Sequence, residues 1–376
     1  MMARPESAAE TLNRTCSCSV TDLPRLRDHI DRATGNPQSI VQTHPNLFTN
    51  IPVFLDRAHF VAMQQAISAI ERVVNSSPYR QKTLAFAPAI ARTAASQAGV
   101  FLGYDFHIGA HGPRLIEINT NAGGAFLNIA ARDHQVACCD VANEFLSGLP
   151  TSKLLEGVVL AMFEREWQLA GRTRPLKRVA IVDEQPTTQY LYPDFLLAKQ
   201  VFESQGIRAE IVDVAKLTIE AEQIIVDGDP VDLIYNRSTD FYLQSPEAHV
   251  LRQAFERDLA VVTPHPKAHA LYANKQNLIL LSDADALAGL GVEAETIELL
   301  TSIIPSTRKV NAGDEAWWQD RKGWFFKPES GFGSRGAYRG DKLTRRAFAD
   351  VVKGNYIAQE LAPPGERIHA TDGDAR

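Results

Sequence analysis

The sequence has few cysteines, no long apolar run and no excess of basic charge. Four cysteines in 376 residues do not make a disulfide framework in a chain of this length. No segment approaches the roughly 18 consecutive apolar residues of a membrane-spanning helix. The formal net charge is −6, so the chain has no electrostatic footprint for nucleic acid. These absences predict a soluble globular protein with neither a nucleic-acid nor a membrane partner.

Several motifs with known chemistry are missing as well. Residues 1–19 lack the basic-then-apolar pattern of a secretory signal, which predicts a cytoplasmic protein. No G-x-x-x-x-G-K-[ST] segment occurs, so a P-loop is excluded. The H-R-D and D-F-G segments of protein kinases and the G-x-S-x-G nucleophile elbow are also absent. Cys16 and Cys18 form a C-x-C pair, which alone is a poor zinc motif.

Polar side chains stand at the end of an apolar run in residues 114–124. Glu117 and Asn119 are two residues apart, so on a strand both side chains point to the same face. Asp105 precedes a stretch of turn composition at 109–113, and a hairpin would bring it beside them. Carboxylate and amide oxygens suit Mg²⁺. The alternative is a strand end whose polar residues simply cap a turn.

A second informative stretch, 323–338, joins a short aromatic strand to a glycine loop. Lys327 precedes Gly331, Gly333 and Gly336, whose spacing matches a dinucleotide fingerprint, but the residues that follow look extended rather than helical. A glycine loop between two strands is typical of a flap over phosphates, because glycine lets backbone N–H groups turn toward anionic oxygens. The lysine adds a point charge. The alternative is an ordinary glycine-rich hairpin.

These segments together resemble the ATP-grasp superfamily. In most of that superfamily the flap precedes the metal strands, whereas here the metal strands come first. That order resembles the circularly permuted branch, which includes the eukaryotic-type glutathione synthetases. The middle of the chain is similar to the inserted substrate domain of those enzymes. The resemblance covers residues 100–366 and implies an α/β (α+β) ATP-grasp fold with ATP and Mg²⁺ as cofactors.

The resemblance implies roles for individual residues. Lys275 and Lys327 match the two nucleotide-binding lysines, and residues 356–361 match the strand that meets adenine. The metal positions match Asp105, Glu117 and Asn119. The remaining cofactor-binding positions are Glu329, Gly331, Gly333, Ser334, Gly336, Gln359, Glu360, Leu361 and, as the acid that holds the ribose hydroxyls, Glu366. The alternatives are surface salt bridges for the lysines and an edge strand for 356–361.

The reaction implied by the resemblance is ligation of a small carboxylic acid to an amine or thiol through an acylphosphate. The predicted catalytic residues are Arg335 in the flap and Arg237, which follows a strand end and is suited to bind a carboxylate bidentately. Further substrate candidates are Tyr190, Tyr192, Asn121 and the Gly123-Gly124 pair. The γ-glutamylcysteine contacts of the glutathione synthetases are not clearly reproduced, so glutathione is not predicted as the product. Ligases of this kind are often homodimers.

Turn and linker residues predict four regions. Residues 1–40 form a polar, partly disordered tail, and 41–171 hold the metal strands. Residues 178–266 form the inserted α/β substrate domain, with a small parallel sheet and a hairpin at Asp227-Gly228 that joins 224–226 to 231–235. Residues 267–376 form the nucleotide-binding half.

The C-terminus departs from the pattern of the superfamily. The chain stops at Arg376, soon after Glu366, and residues 372–374 look like a hairpin turn without a return strand. A truncated ATP-grasp sheet is therefore expected. That expectation keeps open a second function, binding of Mg-ATP without turnover in a regulatory or assembly role. A third is phosphate transfer without ligation.

Overall fold

A computed structural model describes residues 7–35, 40–109, 112–137, 140–329, 331 and 336–368. Three predicted site residues, Gly333, Ser334 and Arg335, lie outside these ranges, as does the predicted turn at 372–374.

Helices and short strands alternate along the described ranges. The α-helices are α1 Ala8–Thr15, α2 Leu23–Thr34, α3 Ile40–Thr43, α4 Arg57–Val74, α5 Ser77–Phe86, α6 Ala125–Arg132, α7 Asp140–Ser147, α8 Ser152–Leu169, α9 Tyr192–Ser204, α10 His249–Glu256, α11 Pro266–Ala268, α12 Asn277–Leu281, α13 Ala284–Gly289, α14 Ala294–Ile303, α15 Trp317–Asp320 and α16 Arg345–Val351. The strands are β1 Gly103–Gly109, β2 Gly112–Asn119, β3 Arg178–Asp183, β4 Arg208–Asp213, β5 Thr218–Glu220, β6 Gln223–Val226, β7 Asp229–Pro230, β8 Leu233–Asn236, β9 Val261–Thr263, β10 Thr307–Val310, β11 Trp324–Pro328, β12 Tyr338–Arg339 and β13 Tyr356–Glu360. No described helix is both long and apolar enough to cross a bilayer.

The N-terminal region is folded where the structure describes it. Helix α1 begins at a capping box, in which the Ser7 and Glu10 side chains each accept from the other's backbone N–H. Helix α2 buries Leu26 and Ile30 completely. Residues 7–35 of the tail that was predicted to be partly disordered are therefore helical for the most part. Two apolar side chains on one helix face are enough to anchor an otherwise polar helix.

Strands β1 and β2 form the predicted antiparallel hairpin. Asp105 pairs with Glu117 and Phe106 pairs with Leu115, so Ile116 is an extra residue that forms a β-bulge. The bulge resets the alternation of the strand. Leu115 and Ile118 are both buried, whereas Glu117 is turned away from the core. Without the bulge, Leu115 and Glu117 would share a face.

The middle of the chain contains the predicted parallel sheet, with strand order β4-β3-β8-β9. A short hairpin at Asp227-Gly228 joins β6 to β7. The predicted second arm of that hairpin is wrong, because Leu233–Asn236 forms β8 of the parallel sheet instead. All four β8 residues are buried, as parallel strands covered on both faces usually are.

The core of this sheet extends beyond residues 178–266. Helices α2, α6 and α8, which precede that segment, contribute to the same hydrophobic cluster as α9 and β3. Phe163 of α8 contacts Phe202 of α9 and Tyr235 of β8, with ring centroids 4.9 and 5.0 Å apart. These three rings are essentially inaccessible to solvent. The sheet therefore shares its core with the N-terminal part of the chain.

The last sheet is antiparallel, with strand order β10-β13-β11-β12. Helix α16 packs on it through Phe348 and Val351, which meet Val310, Phe326 and Ala358 of the strands. Strand β13 pairs with β10 on one side and with β11 on the other. The alternative of an edge strand at 356–361 is therefore wrong.

Candidate functional site

A cavity of about 280 Å³ lies between the β1–β2 hairpin and the antiparallel sheet. Strand β2 contributes Ile116 and Glu117, and β11 contributes Phe325 and Lys327. Lys275 enters from the segment that follows a π-helical turn at His269–Ala273. The rest of the wall is formed mainly by Gly331, Gln359, Glu360 and Leu361. The cavity thus gathers predicted metal, phosphate and adenine positions from three separate parts of the chain.

Lys327 is held at the bottom of this cavity and is 6% exposed. Its Nζ donates to the backbone oxygen of Ile116 at 2.7 Å and to Gln359 Oε1 at 2.9 Å. The carbonyl of Ile116 is presented at the β-bulge. Burial lowers the pKa of Lys327 to about 8, with Lys275 acting in the same direction and the carboxylates of Glu117 and Asp105 opposing it.

Lys275 lies on the opposite side of the cavity, is 8% exposed, and contacts a predicted metal ligand. Its Nζ is 3.2 Å from Glu117 Oε1 and donates to the backbone oxygen of Gly331 at 2.9 Å. The lysine therefore contacts both the metal strand and the start of the glycine loop. In this state its ammonium occupies the place of a cation beside Glu117.

The three predicted metal ligands do come together. Asp105 and Glu117 are direct cross-strand partners, and Asn119 Nδ2 donates to Asp105 Oδ2 at 3.1 Å. Burial, and then the negative charge of Glu117, raise the pKa of Asp105. Two carboxylates and an amide form a set of hard oxygen donors that fits Mg²⁺, and a cation would relieve the repulsion between the acids.

This set is small for a metal site made of protein ligands alone. Nowhere in the described part of the chain do three or more His, Cys, Asp or Glu side chains converge as a metal cluster would require. Mg²⁺ usually takes one or two carboxylates and completes its shell with water and phosphate. Mg²⁺ held by these residues would therefore have to complete its shell with water or phosphate oxygens.

The predicted adenine strand forms one wall of the cavity, but its side chains are largely engaged elsewhere. Gln359 is 1% exposed, accepts from Lys327 and donates to Thr307 Oγ1 at 3.4 Å. Glu360 is directed to the surface, where Arg114 Nη2 lies 3.6 Å from its Oε2. The Leu361 N–H donates to the Gly323 carbonyl. A purine base bound against this strand would therefore contact Gln359 as part of the cavity wall.

Two further cofactor positions lie at the margin. Glu329 is not in the cavity wall; Gln276 donates to it, and Lys309 Nζ is 3.2 Å from its Oε1. Gly336 ends the glycine loop with a φ of 71°, a conformation that favours glycine. Strand β12 follows this glycine, at the place where the sequence predicted extended residues.

Glu366 lies apart from the two lysines. It is exposed and lines a neighbouring cleft of about 880 Å³, which shares Glu360–Pro364 with the cavity. The next residue, Arg367, holds this segment by donating to the carbonyls of Asn13, Cys16 and Pro52. The ribose role of Glu366 stays a prediction.

Arg237 is buried at the end of β8, outside the wall of the cavity. Its Nη1 donates to the backbone oxygen of Ala122 at 3.2 Å and also contacts the Asn121 side chain. Asn121 Nδ2 donates back to the carbonyls of Arg237 and Ser238. Gly123 allows this approach, because a Cβ there would lie 2.9 Å from Arg237 Nη2. Arg237 thus connects the loop after the metal strand to the parallel sheet.

The other substrate candidates surround this junction. Tyr190 is 56% exposed and packs against His44 with the two rings tilted, whereas Tyr192 begins helix α9. Gly124 donates to the buried Asp194, which also accepts from the Leu127 N–H and so caps α6. The structure does not join these residues to the cavity that holds the lysines.

Among the cavity groups that sequence reasoning missed are a cationic side chain and a backbone acceptor. Arg339 of β12 pairs with Phe325 of β11, and both line the cavity. The extended residues after the glycine loop were the available signal for Arg339, because a returning strand must lie beside β11. The Ile116 carbonyl was also missed, since a bulge is visible in the sequence only as consecutive apolar residues before Glu117.

Comparisons with known proteins support the fold. No family model and no curated protein matches the chain. A glutathione synthetase-like effector from Globodera pallida, solved in its apo form, aligns with a TM-score of 0.54 at 11% identity, over 91% of this chain and 82% of that one. A candidate gamma-glutamylcysteine synthetase from Methylobacillus flagellatus aligns with a TM-score of 0.47 at 11% identity, over 82% and 76% of the two chains. The first of these similarities shows that the chain shares the α+β fold of the glutathione synthetase-like effector, the fold that the resemblance to the ATP-grasp superfamily implied.

Proposed function

We propose that the chain is an ATP-dependent ligase that joins a small carboxylic acid to an amine or thiol. The observation that carries this proposal is the convergence of two buried lysines, Lys275 and Lys327, on one cavity beside the Asp105–Glu117 pair. Each lysine comes from a different part of the chain, and surface salt bridges would not require such burial. The fold of ATP-grasp-type ligases supports the same reading.

ATP would bind with its base against the backbone of Glu360 and Leu361 and its phosphates between the lysines. Lys327 now donates to neutral oxygens, and Lys275 is paired with Glu117. A triphosphate would give Lys327 an anionic, charge-assisted acceptor in place of its neutral ones, and would offer Lys275 a second anionic partner so that Glu117 is free to face the metal. Asp105, Glu117 and Asn119 would hold Mg²⁺, which supplies positive charge to the phosphates when it is bound.

The proposed reaction needs no nucleophile from the protein. A carboxylate oxygen of the acid attacks the terminal phosphorus of ATP, so that an acylphosphate forms and ADP leaves. The amine then attacks the acyl carbon, phosphate leaves with the bonding electron pair, and the amine loses a proton to the medium. Lys275 and Lys327 would stabilise the charge that develops during transfer. The glycine loop would exclude water from the acylphosphate.

The acid would be held at the carboxyl edge of the parallel sheet. Arg237 emerges there and contacts the loop that follows the metal strand, and ligands of open α/β sheets bind outside the carboxyl ends of strands. Because Arg237 is 5% exposed, it would act by positioning residues 121–124 as well as by charge. The acid and amine are identified here only by class.

The test is calorimetric titration of the full chain with a non-hydrolysable ATP analogue, with and without Mg²⁺, followed by phosphate release with pairs of acids and amines. Magnesium-dependent binding together with amine-dependent phosphate release supports the ligase. Binding without turnover would assign the site to nucleotide sensing instead. A phosphorylated product formed without an amine would indicate simple phosphate transfer. Failure to bind the analogue would overturn the proposal.

A further inference from the structure

A carboxylate on helix α4 connects two elements of the cavity without lining it. Glu71 Oε1 accepts from the Tyr104 hydroxyl at 2.8 Å, and its Oε2 accepts from the Tyr272 hydroxyl at 2.7 Å. Tyr104 belongs to strand β1, and Tyr272 belongs to the π-helical turn His269–Ala273. One side chain therefore joins three elements that are distant in sequence.

Each tyrosine is close in sequence to a residue of the proposed nucleotide site. Tyr104 immediately precedes Asp105, and Tyr272 lies three residues before Lys275. The turn is held again by Tyr79 of α5, whose hydroxyl donates to the Leu271 carbonyl at 3.1 Å. The distance between strand β1 and the segment that carries Lys275 is thus fixed by contacts that lie outside the cavity wall.

The chemistry of the cluster suits a fixed spacer. Burial, followed by the negative charge of Glu71, raises the pKa of Tyr104, so its hydroxyl stays protonated and can donate. Burial and hydrogen bonding to Glu71 likewise raise the pKa of Tyr272. Both hydroxyls donate to the same carboxylate group, and hydrogen bonds to carboxylates are shorter and stronger than those between neutral groups.

We propose that Glu71 is a positioning residue of the nucleotide site, which fixes the distance between the strand that carries Asp105 and the segment that carries Lys275. The inference rests on the proposed function and adds a residue that neither the sequence motifs nor the cavity wall identifies. π-helical turns occur often at functional sites, and this one is tied to the metal strand through Glu71.

The two arms of the cluster make different predictions. Tyr104→Phe removes the bond to the metal strand and keeps the ring, so it should reduce the factor by which Mg²⁺ strengthens binding of the ATP analogue. Tyr272→Phe loosens the Lys275 segment and should weaken binding about fivefold both with and without Mg²⁺, because the segment must then be ordered when the ligand binds. Glu71→Ala should show both effects. Glu203→Ala, an exposed glutamate paired with Lys199 on α9, is the matched control.

Calorimetric affinities for the analogue and thermal unfolding would be measured for the same preparations. We expect Tyr104→Phe to reduce the effect of Mg²⁺ on the affinity, Tyr272→Phe to lower the affinity under both conditions, and Glu203→Ala to bind the analogue as the wild type does. The inference fails if the wild type binds the analogue and all three variants bind it equally well. It also fails if all three variants lose affinity to the same extent with and without Mg²⁺, in parallel with a fall in melting temperature, because Glu71 would then be only structural. If Glu71→Ala does not fold, the two phenylalanine variants decide. If the wild type binds no analogue, the proposed function fails first.

Discussion

At the scale of single residues, Lys327 is the position on which the proposed site depends most. The residue is 6% exposed, and its ammonium has two neutral acceptors, the Ile116 carbonyl and the Gln359 amide. Lys327→Met keeps the unbranched shape of the side chain as far as Cε and removes the ammonium. We expect the variant to fold and to bind the ATP analogue at least about tenfold more weakly, because a hydrogen bond to a charged group contributes about 1.5–3 kcal/mol. Calorimetry measures the loss.

The control for that variant is Lys353→Met. Lys353 is a lysine whose side chain is 72% exposed, pairs with Asp350 and lies outside the cavity. Its substitution should leave the affinity for the analogue unchanged. Equal affinity of the wild type and Lys327→Met would remove the phosphate role of this lysine.

The pKa of Lys327 also predicts opposite pH dependences for binding and for folding. The folded-state pKa is about 8, below the ordinary 10.5. Phosphate binding needs the ammonium, so affinity for the analogue should fall as the pH rises through about 8. The unfolded chain binds this proton more tightly than the folded chain, so the contribution of Lys327 to stability is complete above about 10.5 and is lost as the pH falls through about 8. Titrations of the wild type and Lys327→Met, compared by difference, isolate both effects; identical profiles would contradict the assignment.

At the scale of elements, the turn that leads into β11 depends on close backbone contact. Gly340 lies against the carbonyls of Arg321 and Trp324, and a Cβ there would overlap the first of them. Gly340→Ala should therefore lower the free energy of unfolding by about 1–3 kcal/mol, the usual cost of overpacking. Gly323→Ala is the control, because a Cβ at Gly323 would meet nothing within 4 Å. Urea unfolding of the two variants would show no difference if the contact were unimportant.

Elements were predictable where local pattern was enough. The β1–β2 hairpin followed from the period of two and from the turn composition at 109–113, and these placed Asp105 beside Glu117. The bulge at Ile116 was not predictable, since it depends on which face of β2 meets the core. The second arm of the Asp227-Gly228 hairpin was predicted at 231–235 but lies at Asp229–Pro230, for the same reason. Residues 231–235 are apolar enough for either a hairpin or a buried parallel strand, and tertiary burial selected the parallel strand.

At the scale of the whole molecule, the parallel sheet does not have a core of its own. Phe163 of α8 packs against Phe202 and Tyr235, and α2 and α6 cover the same cluster. A fragment of residues 178–266 should therefore lack a cooperative unfolding transition, because these helices are missing and their apolar partners become exposed. A longer fragment, 125–266, restores α6 and α8 and should regain one. Near-ultraviolet circular dichroism during thermal unfolding distinguishes them; cooperative unfolding of 178–266 alone would contradict the shared core.

The residues that form the candidate site could be predicted from the sequence more readily than the contacts between them. Asp105, Glu117, Asn119 and Lys327 were singled out from residue type and spacing, and Lys275 from the resemblance to the ATP-grasp superfamily. The structure brings the five residues close together, and their roles stay predictions. Their actual contacts were not predictable. The Lys275–Glu117 pair and the Lys327–Ile116 bond join segments far apart in the sequence, and the Glu71 cluster joins three elements whose approach is decided only by packing.

The β-bulge has a consequence for how the hairpin can change in length. Its extra residue fixes Ile116 against Lys327 and keeps Asp105 opposite Glu117, so the inner end of the hairpin cannot change register without losing both. The outer arm, between Phe106 and Leu115, is held by side-chain contacts rather than by a bulge: His107 Nδ1 lies 2.6 Å from the Ala362 carbonyl oxygen, and Arg114 Nη1 donates to the Ser302 carbonyl. An insertion or deletion that adds or removes one residue from each strand of this arm preserves the pairing of Asp105 with Glu117 at the inner end of the hairpin. Relatives of this chain are therefore expected to differ in the reach of this arm while they keep the single unpaired residue before the glutamate.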